Sequence, residues 1–216
     1  MDINWNGKCM FCGRIINKRG MKKHLKTCKS RIELIDSKDD KSEKFFCISA
    51  QDYFLPEFWL LLSIPVNSTL EELDMFLYNI WLINCGDHPS QFIIQGIKYV
   101  DMACCIYFMM EHCMDAKLNE VLKVADEFVY ENTYGSNVRF ELKVMFEYSG
   151  KKGKEKASLM ARNIAPDIRC YKCDKKATII SPESLYSSFH YMCEECADES
   201  GGDMLLPLVN SPVIGI

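Results

Sequence analysis

Eight side chains in this sequence fall at spacings that suit a metal ion. Near the N-terminus, Cys9-x2-Cys12 is followed after eleven residues by His24-x3-Cys28; toward the other end, nineteen residues separate Cys170-x2-Cys173 from Cys193-x2-Cys196. A Cys-x2-Cys turn brings two thiolates within about 4 Å of each other, and His-x3-Cys lies on one helical face, so each set offers four ligands to a tetrahedral ion. Because all four positions are protein ligands, no coordination site is left for water. The expected chemistry is therefore structural, with two zinc ions per chain. His190, three residues before Cys193, is an alternative fourth ligand, but the four-thiolate set uses both pairs symmetrically.

The first set resembles the Cys-Cys-His-Cys variant of the ββα zinc finger, with Ile16 and Met21 where a miniature core needs apolar residues. Such a finger would carry a helix from near residue 18 to 28. Lys18, Arg19, Lys22, Lys23 and Lys26 would largely line its exposed surface, with Met21 and His24 turned inward. A cationic strip of this kind suits phosphates. The expected base-reading positions hold Asn17, Gly20 and Lys23, so binding to nucleic acid would be weak and largely sequence-blind. The competing reading is a solvated charged face, or one that meets an acidic protein partner. The second set has the spacing of a zinc ribbon, in which two turns each donate a cysteine pair.

Outside these sets the best acid or base is His88, with Asp87, Asp101 and Glu111 as potential partners. No paired-carboxylate, nucleophile-elbow or phosphate-loop pattern surrounds it, and a histidine beside Pro89 is more often a turn or packing residue. Cys85-x2-His88 with Cys104, Cys105 or Cys113 would be a third metal set, but lacks a second spaced pair. Buried free thiols are the plainer reading.

These side chains must be positioned by a chain of 216 residues, 48% hydrophobic, long enough for one ordinary domain and one or two small modules. Residues 54–66, an apolar stretch, are broken by Pro56, Glu57 and Pro65, so no membrane helix is expected. The first residues lack the pattern of a secretory signal, and most of the twelve cysteines stand at metal-ligand spacing, which together point to the reducing cytoplasm. Charge is unevenly spread. Residues 1–31 hold nine basic residues and one acid, the rest 17 basic and 29 acidic.

The finger is expected over residues 1–31, followed by a polar linker over 32–44, an α+β domain over 45–165, and a zinc ribbon with an apolar tail over 166–216 that packs back on the core. Within the middle domain, residues 58–66 read as a strand, and Ser68-Thr69-Leu70-Glu71 as a capping box before a helix running to about residue 83. Residues 92–94 and 97–100 flank Gln95-Gly96 as a hairpin. Residues 103–110 fit a buried strand or a helical turn equally. Leu118, Val121, Leu122 and Ala125 recur at helical spacing, and Val138, Phe140, Leu142, Val144 and Phe146 alternate as in a half-buried strand. Phe58, Trp59, Phe76, Tyr78 and Trp81 read as core.

The middle segment resembles the plasmid ORF-three-like family, also met as passenger proteins of insertion elements. The likeness rests on Ser68-Thr69-Leu70-Glu71-Glu72-Leu73, the helix ending near Trp81, His88-Pro89-Ser90-Gln91-Phe92, the turn at 96–99, and residues 118–136. A subgroup of that family is similar in the flanks: Arg19-Gly20-Met21-Lys22-Lys23-His24-Leu25, then Leu159-Met160-Ala161-Arg162-Asn163, then Met204-Leu205-Leu206-Pro207 and Asn210-Ser211-Pro212. The resemblance implies an α+β fold, a mobile-element context and no assigned biochemical role. Where the family usually has Tyr-Asp-Phe-Gly, this chain reads Asn132-Thr133-Tyr134-Gly135, so the acidic group is absent.

The sequence thus leads us to expect a non-enzymatic, zinc-binding cytoplasmic adaptor that meets nucleic acid or a protein partner. The alternative is a hydrolase or nuclease acting through His88. If the finger hangs on its linker, Cys170→Ser should cost more stability than Cys28→Ser.

Overall fold

Alternation marks the centre of the molecule. Val138, Phe140, Leu142, Val144 and Phe146 are buried along β8 (Val138–Lys151), whose intervening side chains are more exposed, as a strand's period of two requires. The computed structural model describes residues 4–35, 42–82, 89–109, 112–132, 138–151, 156–181, 190–200 and 205–212. β8 is a central member of a nine-stranded antiparallel sheet ordered β2-β1-β9-β4-β3-β8-β7-β5-β6. The other strands are β1 (Asn6–Cys9), β2 (Ile15–Asn17), β3 (Ser42–Asp52), β4 (Trp59–Pro65), β5 (Ser90–Ile94), β6 (Ile97–Val100), β7 (Glu127–Asn132) and β9 (Ser158–Asn163). The protein is a mixed α and β fold dominated by this sheet, with few helices.

β4 shows no alternation because both of its faces are covered. Leu60, Leu62 and Ile64 join the larger core, capped by α3 (Leu70–Leu77) and by Trp81 of the following π-helical turn. Trp59 and Leu61 join a second core with Met21 and Leu25 of α1 (Lys18–Thr27), together with Cys47, Phe146 and Met160. α3 begins where the sequence placed it. Thr69 accepts from the Glu72 amide at 3.2 Å, and the Glu72 carboxylate reaches back to the Thr69 amide, a reciprocal capping box.

The expected hairpin forms, with Gln95 and Gly96 both at positive φ, 51° and 83°. The ambiguous stretch becomes α4 (Met102–Phe108), started by Asp101, which accepts from the Cys104 amide at 2.9 Å. Among the aromatic residues expected as core, Phe58, Trp59 and Trp81 are buried, while Phe76 and Tyr78 pack against the core half-buried.

Three expectations need correction. The helical spacing at 118–125 gives only α5 (Leu118–Val121): Leu122 is already extended, and Ala125, at φ 79°, donates its amide to Val144 and turns the chain into β7. Cys105 and Cys113 are not free thiols but a disulfide, with Cα atoms 5.7 Å apart. Most consequential, the finger does not hang on a linker. β1 pairs with β9 from Gly7↔Asn163 to Cys9↔Ala161, so the ββα unit is the edge of the main sheet. α2 (Lys29–Ile35) occupies the start of the supposed linker, and its buried Arg31 donates to the Leu25 carbonyl at 2.6 Å.

The C-terminal part forms a separate three-stranded sheet, β11-β10-β12, from β10 (Ile179–Ser181), β11 (His190–Met192) and β12 (Leu206–Pro207), with α6 (Glu194–Ser200) beside it. Its tail returns to the core as expected. Ser211 Oγ donates to the Trp81 carbonyl at 2.6 Å, Asn210 exchanges hydrogen bonds with Asn163, and Arg162 donates to the Asn210 carbonyl.

Candidate metal centres

The four ligand atoms of each predicted set lie within 4.8 Å of one another: Cys9, Cys12, His24 and Cys28 in one, Cys170, Cys173, Cys193 and Cys196 in the other. In a tetrahedron with metal–sulfur bonds of about 2.3 Å and metal–nitrogen bonds of about 2.05 Å, ligand atoms are about 3.8 Å (S···S) and about 3.5 Å (S···N) apart. Cys12 Sγ stands 3.3 Å from His24 Nε2, and Cys173 Sγ stands 3.6 Å from both Cys193 Sγ and Cys196 Sγ. Both sets are therefore able to hold a tetrahedral metal ion. They are the two such groups among the described residues.

The first cysteine pair of each centre sits in the same turn. Cys9 N–H donates to the Arg14 carbonyl and Gly13 N–H donates to the Cys9 carbonyl, both at 2.9 Å. Cys170 N–H donates to the Lys175 carbonyl at 2.7 Å, and Asp174 N–H to the Cys170 carbonyl at 3.1 Å. The residue four after the first cysteine is left-handed in both, Gly13 at φ 72° and Asp174 at φ 58°. The second pairs differ. His24 lies within α1 and Cys28 caps its end, whereas Cys193 and Cys196 enter α6 rather than a second hairpin turn.

Protons are shared unequally in each set. Burial pushes the Cys9 thiol up to about 11. Cys12 is held below the ordinary thiol value: burial opposes this, but the Arg14 amide and the Cys9 and Cys28 thiols outweigh it. Burial and the Arg14 charge lower His24, favouring the neutral imidazole a metal requires. In the other set, Cys170 is held at about 6 against its burial by the amides of Cys193, Lys172 and Cys173. Cys196 is pushed up to about 12, first by its hydrogen bond with Cys173. Cys170 is thereby ready for a cation as a thiolate, and loading either set must release the protons that remain.

Of the basic residues expected on the finger helix, Arg19, Lys23 and Lys26 are exposed, and Lys22 is half-buried. Lys18 departs from the strip. It folds inward, donating to Gln51 Oε1, with its ammonium 5.3 Å from the Trp5 ring centre and 6.0 Å from that of Trp59. Lys26 lies over Phe146, 5.1 Å from the ring centre. Trp5, Gln51 and Trp59 carry no sequence signal as neighbours of Lys18. The β1–β9, β9–β4 and β4–β3 pairings bring them together.

His88, Asp87, Glu111 and Cys85 lie outside the described residues. Of the partners considered for His88, Asp101 is engaged as the cap of α4. The disulfide removes Cys105 and Cys113 from the third metal set.

No helix among the described residues is long and apolar enough to cross a membrane. No protein-family model matches the chain, and no curated protein matches it. A crystal structure of a protein of unknown function from Methanosarcina mazei Go1 is similar at 17% identity, over 56% of this chain and 69% of that one, with a TM-score of 0.47. The chain carries two Cys-rich groups able to hold a metal ion.

Proposed function

We propose that this is a non-catalytic binding protein, stabilised by two zinc ions, that engages nucleic acid through the cationic helix α1. Zinc is the ion because both sets are closed, tetrahedral and built of thiolate and imidazole, the ligands of structural zinc sites. The resemblance of residues 45–150 supports a place in the plasmid ORF-three-like family, and the C-terminal centre is read as a variant zinc ribbon whose second pair opens a helix.

One observation carries the binding reading. α1 is fixed to the sheet by Met21, Leu25 and its metal ligands while Arg19, Lys23 and Lys26 face solvent. Cations on a rigid support meet phosphates with little loss of order on binding, and they read charge rather than sequence.

The test is a salt titration of oligonucleotide binding. With some four phosphates neutralised, log affinity should fall against log salt with a slope of roughly −3 to −4. Lys23→Ala with Lys26→Ala should reduce that slope by up to about two and release no zinc. A slope near zero, or no binding at low salt to any oligonucleotide, points instead to an acidic protein partner. Elemental analysis finding fewer than two zinc ions per chain would remove the metal assignment.

A further inference from the structure

Where Lys18 turns inward, it enters a cavity of about 630 Å³ between α1 and the sheet. That volume suits a small organic ligand. Its walls are the indoles of Trp5 and Trp59 with the apolar side chains of Leu61 and Met145. Ser49 and Gln51 of β3 add neutral polar groups, and Lys18, Arg19 and Lys22 supply positive charge. Among the described residues no carboxylate lines it, and Glu127 and Glu141 line the adjoining cavity that shares Lys18, Ser49, Gln51 and Met145.

The position of Lys18 is chemically incomplete. A cation drawn out of water is ordinarily paired with an anion. Among the described residues, Lys18 meets one neutral amide and two indole faces, and Glu141 acts on it only at longer range. Trp59, 1% exposed, also has its Nε1–H buried without a partner among the described residues. Aromatic walls, cations on one rim and a lysine lacking a counter-charge together define a ligand: a planar ring carrying an adjacent anionic group.

We propose that this cavity binds a nucleotide, its base against Trp5 and its phosphate against Lys18, Arg19 and Lys22. The nucleotide has two sources, an unpaired unit of a single strand or a free mononucleotide. Only the strand source rests on the nucleic-acid reading above. A paired base is shielded by its own stack, so a duplex is excluded from the cavity.

The experiment is a tryptophan-fluorescence titration of the zinc-loaded full chain with AMP, with an eight-residue oligothymidylate and with a duplex of equal length. The proposal expects saturable quenching by AMP, by the single strand or by both, and none by the duplex. Trp5→Leu should weaken the quenching ligand roughly tenfold or more, the loss expected when a stacking partner is removed. Lys18→Met serves where Trp5→Leu does not keep two zinc ions and the wild-type melting transition.

Binding of AMP alone supports the cavity and removes the strand reading. Strand binding that falls in the Lys23 and Lys26 variants but is indifferent to Trp5→Leu and Lys18→Met keeps that reading and overturns the cavity. Binding of neither ligand overturns both.

Discussion

The two metal centres begin in the same turn and end in different structures. At Cys9 and at Cys170 the chain makes the same pair of amide bonds and places a left-handed residue four positions on. Beyond that turn the N-terminal centre merges with the main sheet. β1 pairs with β9, and Cys9 and Cys28 are buried in one core with Trp59, Phe146 and Met160. The C-terminal centre has its own small core of Cys170, Met192, Cys193, Cys196 and Ala197 beside a three-stranded sheet, with Cys173 exposed. One ligand motif therefore serves two purposes. It completes a core in one place and makes a small, largely self-contained module in the other.

The largest consequence reverses the stability order expected from a hanging finger. Cys28→Ser should lower the main unfolding transition by on the order of 4 kcal/mol or more, because losing that ion also unseats Met21 and Leu25 from the sheet. Cys170→Ser should release one ion and leave the main transition within about 1 kcal/mol. Each variant should hold one zinc. Equal shifts in calorimetry would break the contrast, and a larger loss for Cys170→Ser would restore the hanging finger.

A smaller effect comes from the seam itself. A Cβ at Gly7 would overlap the Trp59 indole and stand 2.6 Å from the Arg162 carbonyl, so β1 lies against the sheet only because position 7 has no side chain. Gly7→Ala should cost about 1 to 3 kcal/mol in the main transition through overpacking. It should also change the Trp59 emission with both ions retained. A silent substitution would mean that β1 does not dock as described.

What was legible in the sequence followed local rules. Both ligand sets, the capping box at Thr69, the Gln95-Gly96 hairpin and the alternation of β8 depend on residues close in the chain. The hidden part was what lies against what. β4 reads as uniformly apolar, which signals burial on both faces, but nothing near it says that the second cover is α1, some forty residues upstream. Lys18 looked like one more exposed cation because helical spacing places side chains only relative to their own helix. Its neighbours Gln51 and Trp59 come from β3 and β4. The helical spacing at 118–125 failed for the same reason, since the Ala125 amide goes to Val144 across the sheet.

The fusion of finger and sheet also has a pH signature that the C-terminal centre should lack. Burial lowers Lys18 from 10.5 to about 8, with Glu141 opposing. Around it, α1 contributes Arg19 and Lys22, β8 contributes Glu141 and Lys143, and β7 contributes Glu127, which pairs with Lys143 at 2.6 Å, while the facing residues of β3 and β4 are uncharged. An anion bound beside Lys18 favours its charged form. Affinity for AMP should therefore be flat between about pH 7 and 8, where its phosphate is already doubly ionised, and fall as pH rises above 8, by a few-fold to tenfold by pH 9.5. Lys18→Met should flatten the profile. A decline that persists in this variant would assign the titration to another group.

The finest comparison is between the left-handed residues of the two turns. Alanine at position 13 would meet nothing closer than Lys8 Cε at 4.0 Å, so Gly13→Ala tests backbone conformation alone, at a cost of about 1 kcal/mol. Asp174 already bears that strain at φ 58°, in a side-chain type that tolerates it. Asp174→Gly relieves the strain but gives the unfolded chain more freedom, so the net gain should be only a few tenths of a kcal/mol. The two effects should appear in different measurements. Gly13→Ala should lower the main melting transition, because its turn is continuous with β1 and the sheet. Asp174→Gly should leave that transition alone and slow zinc loss to a chelator from the C-terminal centre only. If Gly13→Ala changes zinc release without moving the main transition, the first turn is as independent as the second.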